Sequence, residues 1–315
     1  MLRILCGAMA LSCPSVHATF SIVACEPESG TCGVAVATHN LAVGDGVPFA
    51  VADVGAGVSQ FETNPRHADV ARRALADGAS AADAIKQSLA RDASFGDGLD
   101  LSFRQLAVVS SKGSVAVHTG KEAGDFAGQR GAHAVSVQGN GLVSAAVLDA
   151  MLVAYERSDG PLAERLLQSL EAGHAAGGQR IGVMSAALLV RTSEGWPVDV
   201  DLRVDFSSVD AVSRLRAAYN ASRARVLLGR ANRSAKRGNM SAARTQRDQA
   251  LQLAPTWDRI WLRAARLSRA WGDREHATLQ ACVFYRLNPM WARALSEEIE
   301  IEHCDKTPGP NDGVK

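Results

Sequence analysis

A threonine hydroxyl is a weak nucleophile until a base stands beside it, and a threonine that opens a chain carries that base on its own α-carbon. Thr19 is placed to become such a residue. The stretch before it begins with Arg3, runs apolar from Ile4 to Leu11, and breaks at Pro14 into Ser15-Val16-His17-Ala18. Val16 and Ala18 satisfy the small-residue rule of signal peptidase, so residues 1–18 read as a signal peptide and Thr19-Phe20-Ser21-Ile22 as the mature start. A free α-amine, with a pKa of about 7.7 to 8.0, can take the hydroxyl proton directly or through one water. Two plainer readings stand beside this one. Thr19 is also an ordinary strand residue, and Ala10-Leu11-Ser12-Cys13 resembles a lipobox whose cleavage would leave Thr19 internal.

The elements that must position Thr19 follow from hydrophobic patterning. Residues 19–24 and 32–38 are small, apolar and β-branched, and read as buried paired strands joined by the turn Glu26-Pro27-Glu28-Ser29-Gly30. A third extended stretch, broken by Gly55 and Gly57, is expected from Phe49 to Gln60. The period then becomes helical over 66–78 and 80–91, with Gly78 ending the first helix and Ser80 capping the second. Strands return over 104–110, 114–119 and 134–138, a second helix pair over 144–157 and 161–172, and closing strands over 184–192 and 198–204. Paired strands alternating with paired helices predict an α+β sandwich with helices over both faces of antiparallel sheets.

Composition bounds the chain further. Its 315 residues, 47% of them hydrophobic, allow about two domains. No apolar run reaches the roughly 20 residues of a membrane span. The net charge of +1 hides an asymmetry: residues 19–210 hold 14 basic against 23 acidic side chains, residues 211–300 hold 17 against 7. A basic helical piece could meet nucleic acid or anionic lipid, but export argues against nucleic acid, and solvated helix faces account for such charge at least as well. Loss of Cys6 and Cys13 with the signal leaves Cys25, Cys32, Cys282 and Cys304, an even set suited to disulfides in an oxidising compartment. Cys25 and Cys32 flank the first turn and should staple it, with Cys282 and Cys304 as the second pair. No further His or Cys stands at metal-ligand spacing, so no metal is expected.

The C-terminal third repeats. Gly238-Asn239 returns as Gly272-Asp273, Pro255 as Pro289 and Trp257 as Trp291, and Ala243/Ala277, Gln246/Gln280 and Leu253/Leu287 keep the same 34-residue register. That period, with its turn glycine, amphipathic helix and closing proline, resembles the tetratricopeptide repeat. An ordinary helical bundle is the alternative. The expected organisation is thus a domain over 19–210, a helical domain over 211–303 with a capping helix from Trp291 to Glu302, and a disordered tail over 304–315.

The first domain also resembles a known family. Thr19-Phe20-Ser21-Ile22-Val23-Ala24, Gly33-Val34-Ala35-Val36-Ala37-Thr38-His39, Leu41-Ala42-Val43-Gly44, Asn64-Pro65, Arg104-Gln105, His118-Thr119-Gly120, Val137-Gln138-Gly139-Asn140, the stretch from Gly160 to Leu167 and Ser185-Ala186-Ala187-Leu188-Leu189-Val190 are similar to the domain-of-unknown-function family numbered ten twenty-eight. That family is grouped with the N-terminal nucleophile (Ntn) hydrolases. The resemblance implies a four-layer αββα Ntn-hydrolase sandwich, followed here by an all-α tetratricopeptide-like domain. It implies cleavage of a C–N amide bond through an acyl-ester on Thr19, without cofactor, in a periplasmic or secreted protein. The substrate would be a small amide or peptide, a protein or peptide could dock on the repeats, and the superfamily's habit of assembly leaves a homo-oligomer open. Around Thr19 the candidate site residues are His39, which could tune the amine or bind substrate, Asn64 and Asn140, which could donate to an oxyanion, and Ser185, which could orient the amine. Each also has a plain structural use at a strand end or turn. Val183-Met184 stands where the family would have a longer polar run. The reading from another class is a catalytically silent binding module for a peptide or cell-wall component.

Overall fold

The computed structural model describes residues 18–124, 126–195, 198–295 and Cys304. The expected signal segment up to His17, most of the expected capping helix and the tail beyond Cys304 lie outside the described residues.

β1 (Thr19–Glu26) and β2 (Thr31–Thr38) lie side by side in the middle of an antiparallel six-stranded sheet, which is why both read as near-continuous small apolar runs. Their register pairs Thr19 with Thr38 and Cys25 with Cys32, and a disulfide joins that last pair. β7 (Gly128–Ala132) and β8 (Val135–Asn140) extend the sheet on the β1 side, and β9 (Ser185–Arg191) and β10 (Val200–Val204) on the β2 side. A second antiparallel sheet has the order β3 (Pro48–Val51), β4 (Gly55–Phe61), β5 (Arg104–Ser110), β6 (Val115–Thr119).

Two sequence expectations need correction. The extended stretch from Phe49 to Gln60 breaks earlier than expected: it is a hairpin turned at Ala52-Asp53-Val54, with Asp53 at φ +62°, and Gly55 and Gly57 lie within β4. β7 carried no signal, because its Gly-rich exposed residues at the sheet edge have no apolar face to alternate.

Each sheet has a helix pair on its outer side. α2 (Pro65–Ala76) and α3 (Ala81–Ala90) cover the smaller sheet through Ala71, Ala74, Leu75, Ala84 and Ile85. α4 (Ala146–Arg157) and α5 (Leu162–Ala175) cover the larger, where Leu148, Met151, Leu166 and Leu170 are buried. Asn64 and Ser80 cap α2 and α3 by accepting backbone N–H groups of Arg66 and Asp83. α1 (Val43–Gly46) is one short turn after β2.

Strand alternation divides β1 into two faces. Val23 and Cys25 face the second sheet and join Val34, Val36, Val58, Ala107 and Val109 in an apolar core. Thr19 and Ser21 share that face, so the space between the sheets is apolar toward the disulfide and polar toward Thr19.

The chain divides into two units at Leu215/Arg216, inside α6 (Ala211–Lys236). The second unit continues with α7 (Met240–Leu253), α8 (Asp258–Ala270), α9 (Arg274–Leu287) and α10 (Pro289–Ala294). The sequence period is a structural period. α7 and α9 have equal length and start 34 residues apart, and Gly238 (φ +80°) and Gly272 (φ +77°) make the turns before them. Ser234 donates to Gln246 at 3.0 Å, and Ser268 donates to Gln280 at 2.8 Å in the same register. Leu228, Leu251, Ile260, Trp261, Leu262 and Phe284 form the core of this unit, and a disulfide joins Cys282 to Cys304.

Candidate active site

Thr19 opens β1 and is 4% exposed. Its backbone N–H donates to Asn140 Oδ1 at 3.1 Å, and its Oγ1 lies 3.1 Å from Thr38 Oγ1. Both contacts follow from register, since Thr19 stands between Thr38 on β2 and Asn140 on β8. The Thr38 hydroxyl donates to the carbonyl oxygen of Ala18 at 2.7 Å, so a donor sits beside the bond whose cleavage would free Thr19.

Thr19 and Thr38 form one end of a cleft of about 330 Å³. The loop after β2 lines one side through Asn40, Leu41 and Ala42, and Phe61, Glu62 and Thr63 line the other. Ala42 (φ +51°) and Phe61 (φ +72°) both hold left-handed backbone without being glycine. Such conformations cost on the order of 1 to 3 kcal/mol and gather where a surface must be shaped. Asp45 and Glu62 bring carboxylates to the cleft, and Asp45 pairs with Arg203 at 3.2 Å.

Beneath Thr19 a chain of neutral polar side chains runs between the sheets. Asn140 Nδ2 and Gln60 Nε2 both donate to Gln105 Oε1 at 2.8 Å. Gln105 Nε2 donates to the Gly139 carbonyl at 2.9 Å and to Thr119 Oγ1 at 3.2 Å. Ser21 donates to Gln60 Oε1 at 2.7 Å and accepts from Gln138 Nε2 at 2.6 Å, and Ser136 donates to Gln138 Oε1 at 2.8 Å. Ser21, Gln60, Gln105, Gln138 and Asn140 are fully buried, so each unmade bond would cost about 1 to 3 kcal/mol.

The sequence-predicted residues divide. Asn140, expected in a turn as a donor to the oxyanion, closes β8 and touches Thr19 through its oxygen, while its Nδ2 donates to Gln105. His39 follows Thr38 and is half-buried, and its Nδ1 is buried without a hydrogen-bond partner among the described residues. Ser185 pairs in register with Thr38, but its hydroxyl donates to the Asn40 carbonyl at 2.6 Å and accepts the Val43 N–H at 3.1 Å. It therefore fixes the cleft loop rather than reaching the Thr19 amine. The Asn64 side chain is engaged as the cap of α2 and donates to Asp97 Oδ2 at 2.7 Å, so it anchors the far wall and is not aimed at Thr19. Sequence reasoning left Gln60, Gln105 and Gln138 unassigned. The available signal was a glutamine at an inward position of a buried strand, three times over.

A second constellation has the residue types of a catalytic triad. His67 Nδ1 lies 2.8 Å from Ser88 Oγ, and His67 Nε2 lies 2.7 Å from Asp92 Oδ1. Arg104 Nε donates to the same Asp92 oxygen at 2.7 Å, its Nη2 donates to Asp97, and its Nη1 donates to the Glu62 carbonyl at 3.0 Å. Burial lowers the His67 pKa against the pull of Asp92. Hydrogen bonds from Arg104 and then Asn64 hold Asp97 down to about 2. His67 is 0%, Ser88 1% and Asp92 4% exposed, so no substrate reaches this serine. The cluster holds α2, α3 and the start of β5 together and braces the Glu62 wall of the cleft.

Among the described residues no group of three or more His, Cys, Asp and Glu is arranged to hold a metal ion, and no helix is long and apolar enough to cross a membrane.

The model of a family of unknown function, DUF1028, matches residues 19–215, which covers the first unit from Thr19 onward. A crystal structure of a protein from Silicibacter pomeroyi that carries the same family model is similar at 32% identity, with a TM-score of 0.58 over 64% of this chain and 84% of that one. No curated protein matches the chain.

Proposed function

The chain belongs to the DUF1028 family, and we propose that this member is an exported N-terminal-threonine amidohydrolase. The observation that carries the reading is the convergence on Thr19: a hydroxyl and a backbone nitrogen at the end of a cleft, each held by a residue from a different neighbouring strand. In the mature chain the nitrogen becomes an α-amine. The amine takes the Oγ1 proton as Oγ1 attacks the carbonyl carbon of a substrate amide, giving a tetrahedral oxyanion. Collapse breaks the C–N bond, the protonated amine of Thr19 gives its proton to the leaving nitrogen, and the acyl group remains as an ester on Thr19. Water, deprotonated by the same amine, then releases the acid. The cleft volume, at the lower end of the roughly 300 to 1,000 Å³ usual for ligand pockets, suits a small amide or short peptide.

Two sheets face to face with a helix pair outside each support reading the first unit as a four-layer αββα Ntn-hydrolase sandwich. The repeated turns, helix lengths and Ser–Gln bonds support reading the second as tetratricopeptide-like, with its exposed faces as a docking surface for a peptide or protein. The two disulfides are compatible with a periplasmic or secreted protein.

The second reading, a silent binding module, is favoured by the burial of Ala18 and Thr19 and by the Thr38 bond to the Ala18 carbonyl, which shut the Ala18–Thr19 peptide bond away from solvent in the uncleaved chain. Mass spectrometry of the exported protein separates the two. A chain beginning at Thr19 favours the hydrolase; acylation at Cys13, or cleavage elsewhere, leaves the binder.

A further inference from the structure

We infer that Gln105 is a positioning residue for the Thr19 amine, acting through Asn140, an inference that rests on the reading of Thr19 as an N-terminal nucleophile. A side-chain amide can present either its oxygen or its nitrogen, and around Thr19 the choice matters. An oxygen toward the amine accepts its N–H groups and favours the protonated form; an NH2 group would donate to the amine's lone pair, favour the neutral form and block it as a base.

The surroundings decide the orientation by elimination. The Gly139 carbonyl has no proton to give, so the group of Gln105 that faces it at 2.9 Å is the NH2. The Gln105 oxygen is thereby turned to the other side, where it meets Gln60 and Asn140 at 2.8 Å each. An oxygen there requires NH2 groups from both neighbours. With its Nδ2 committed to Gln105, Asn140 has only Oδ1 left for the Thr19 nitrogen at 3.1 Å. Gln60 is ordered in the same sense, since its oxygen accepts from Ser21, which in turn accepts from Gln138. One backbone carbonyl thus sets the direction of every amide in the chain. Gln105 is the branch point, for its single oxygen holds both the remainder of the network and the residue that touches Thr19. Being fully buried, it has no water to substitute for that oxygen.

The test needs no substrate. Periodate oxidises an N-terminal threonine through its neutral amine and neighbouring hydroxyl, leaving a glyoxylyl terminus and releasing acetaldehyde and ammonia, so the pH midpoint of the rate reports the amine's pKa. In the mature protein, Gln105→Leu frees Asn140 to turn, and the midpoint is expected to fall by about 0.5 to 1 pH unit. Ser88→Ala, which removes a buried hydrogen bond from the closed His67 cluster, is expected to lower stability and leave the midpoint in place. An unchanged midpoint in a folded Gln105→Leu protein overturns the inference. Should that variant not fold, NMR of the wild-type side-chain amides decides: Asn140 Nδ2 protons close to Gln105 support it, and Nδ2 protons turned toward Thr19 overturn it. A wild-type protein inert to periodate would instead sink the reading of Thr19 as a free terminus, and the same amide assignment would still judge Gln105.

Discussion

Two buried polar networks flank the segment from Gln60 to Asn64, and they differ in kind. The network under Thr19 is built of neutral amides and hydroxyls, each bond fixed in direction, and it ends at a cleft. The network around His67 is built of charges, Asp92 and Asp97 against Arg104; His67, Ser88, Asp92 and Arg104 are buried, and the partly exposed Asp97 closes its outer side. Judged by residue types alone, the second is the better active site, because it holds a serine, a histidine and an aspartate at hydrogen-bonding distances. Judged by access, it is a brace. A nucleophile needs a space in which a reacting carbon can sit; Thr19 lines a cleft, and Ser88 is buried away from it. The neutral network also suits the proposed role of Thr19, since a fixed charge beside a base would move its pKa more than a hydrogen-bonded amide does.

The sharpest way to break this contrast is Thr19→Ala in the mature protein. It should abolish both periodate reaction and any hydrolysis, while one lost hydroxyl lowers stability by only about 1 kcal/mol and the thermal midpoint by a few degrees. Hydrolysis of an amide substrate at near wild-type rate in this variant would return the comparison to even terms.

Next in size is Arg104→Leu. Removing the guanidinium leaves Asp92 buried without its cation and frees the Glu62 carbonyl, so a loss of roughly 3 to 5 kcal/mol is expected in urea denaturation. A loss below about 1 kcal/mol would mean that the charged cluster is incidental to the fold.

Smaller again is Ser88→Ala, which tests the resemblance to a triad directly. A brace predicts a stability loss of about 1 kcal/mol and unchanged chemistry at Thr19. Loss of hydrolysis with Thr19 intact would make Ser88 the nucleophile and overturn the assignment.

The same contrast explains what the sequence made legible. β1, β2, the capped α2 and α3 and the disulfide hairpin were readable because burial on a regular period writes itself into residue type. The 34-residue repeat was readable for a like reason, its Gly238 and Gly272 holding turns that favour glycine. Asn140 reads, in the family-like block Val137-Gln138-Gly139-Asn140, as a turn residue that could donate to an oxyanion; it closes β8, whose register carries it to Thr19, and its Nδ2 is given to Gln105 instead. Asn64 and Ser185 were placed in the right neighbourhood with different tasks, since a cap and a loop anchor use the same side chains as an oxyanion donor. The glutamine relay was hidden because it joins strands from both sheets, and its logic depends on which atom faces which. The edge strand β7 was hidden because it has no buried face to pattern.

The smallest effect is a pH dependence that belongs to the closed cluster. Around His67 stand Asp92 at 2.7 Å, Ser88 at 2.8 Å, the Phe95 ring edge-on at 4.8 Å, and Arg104 and Asp97 beyond. Burial outweighs the carboxylates, and the folded-state pKa lies below the ordinary 6.5. A lowered histidine pKa means that the unfolded chain takes up a proton at a pH where the folded chain does not. Its contribution to stability is therefore fully present above about pH 6.5 and is lost as the pH falls from there through the folded-state pKa. Asp97, held to about 2, acts in a separate range: its contribution persists at pH 5 and is lost only as the pH falls from about 4 through about 2. Urea midpoints measured between pH 7.5 and 5 should accordingly decline in the wild type and decline less in His67→Gln, with Asp97→Asn lowering the midpoint equally at both ends. Parallel pH slopes in wild type and His67→Gln would show that the imidazole changes charge without consequence for folding, and the brace would then rest on Arg104 and its two aspartates alone.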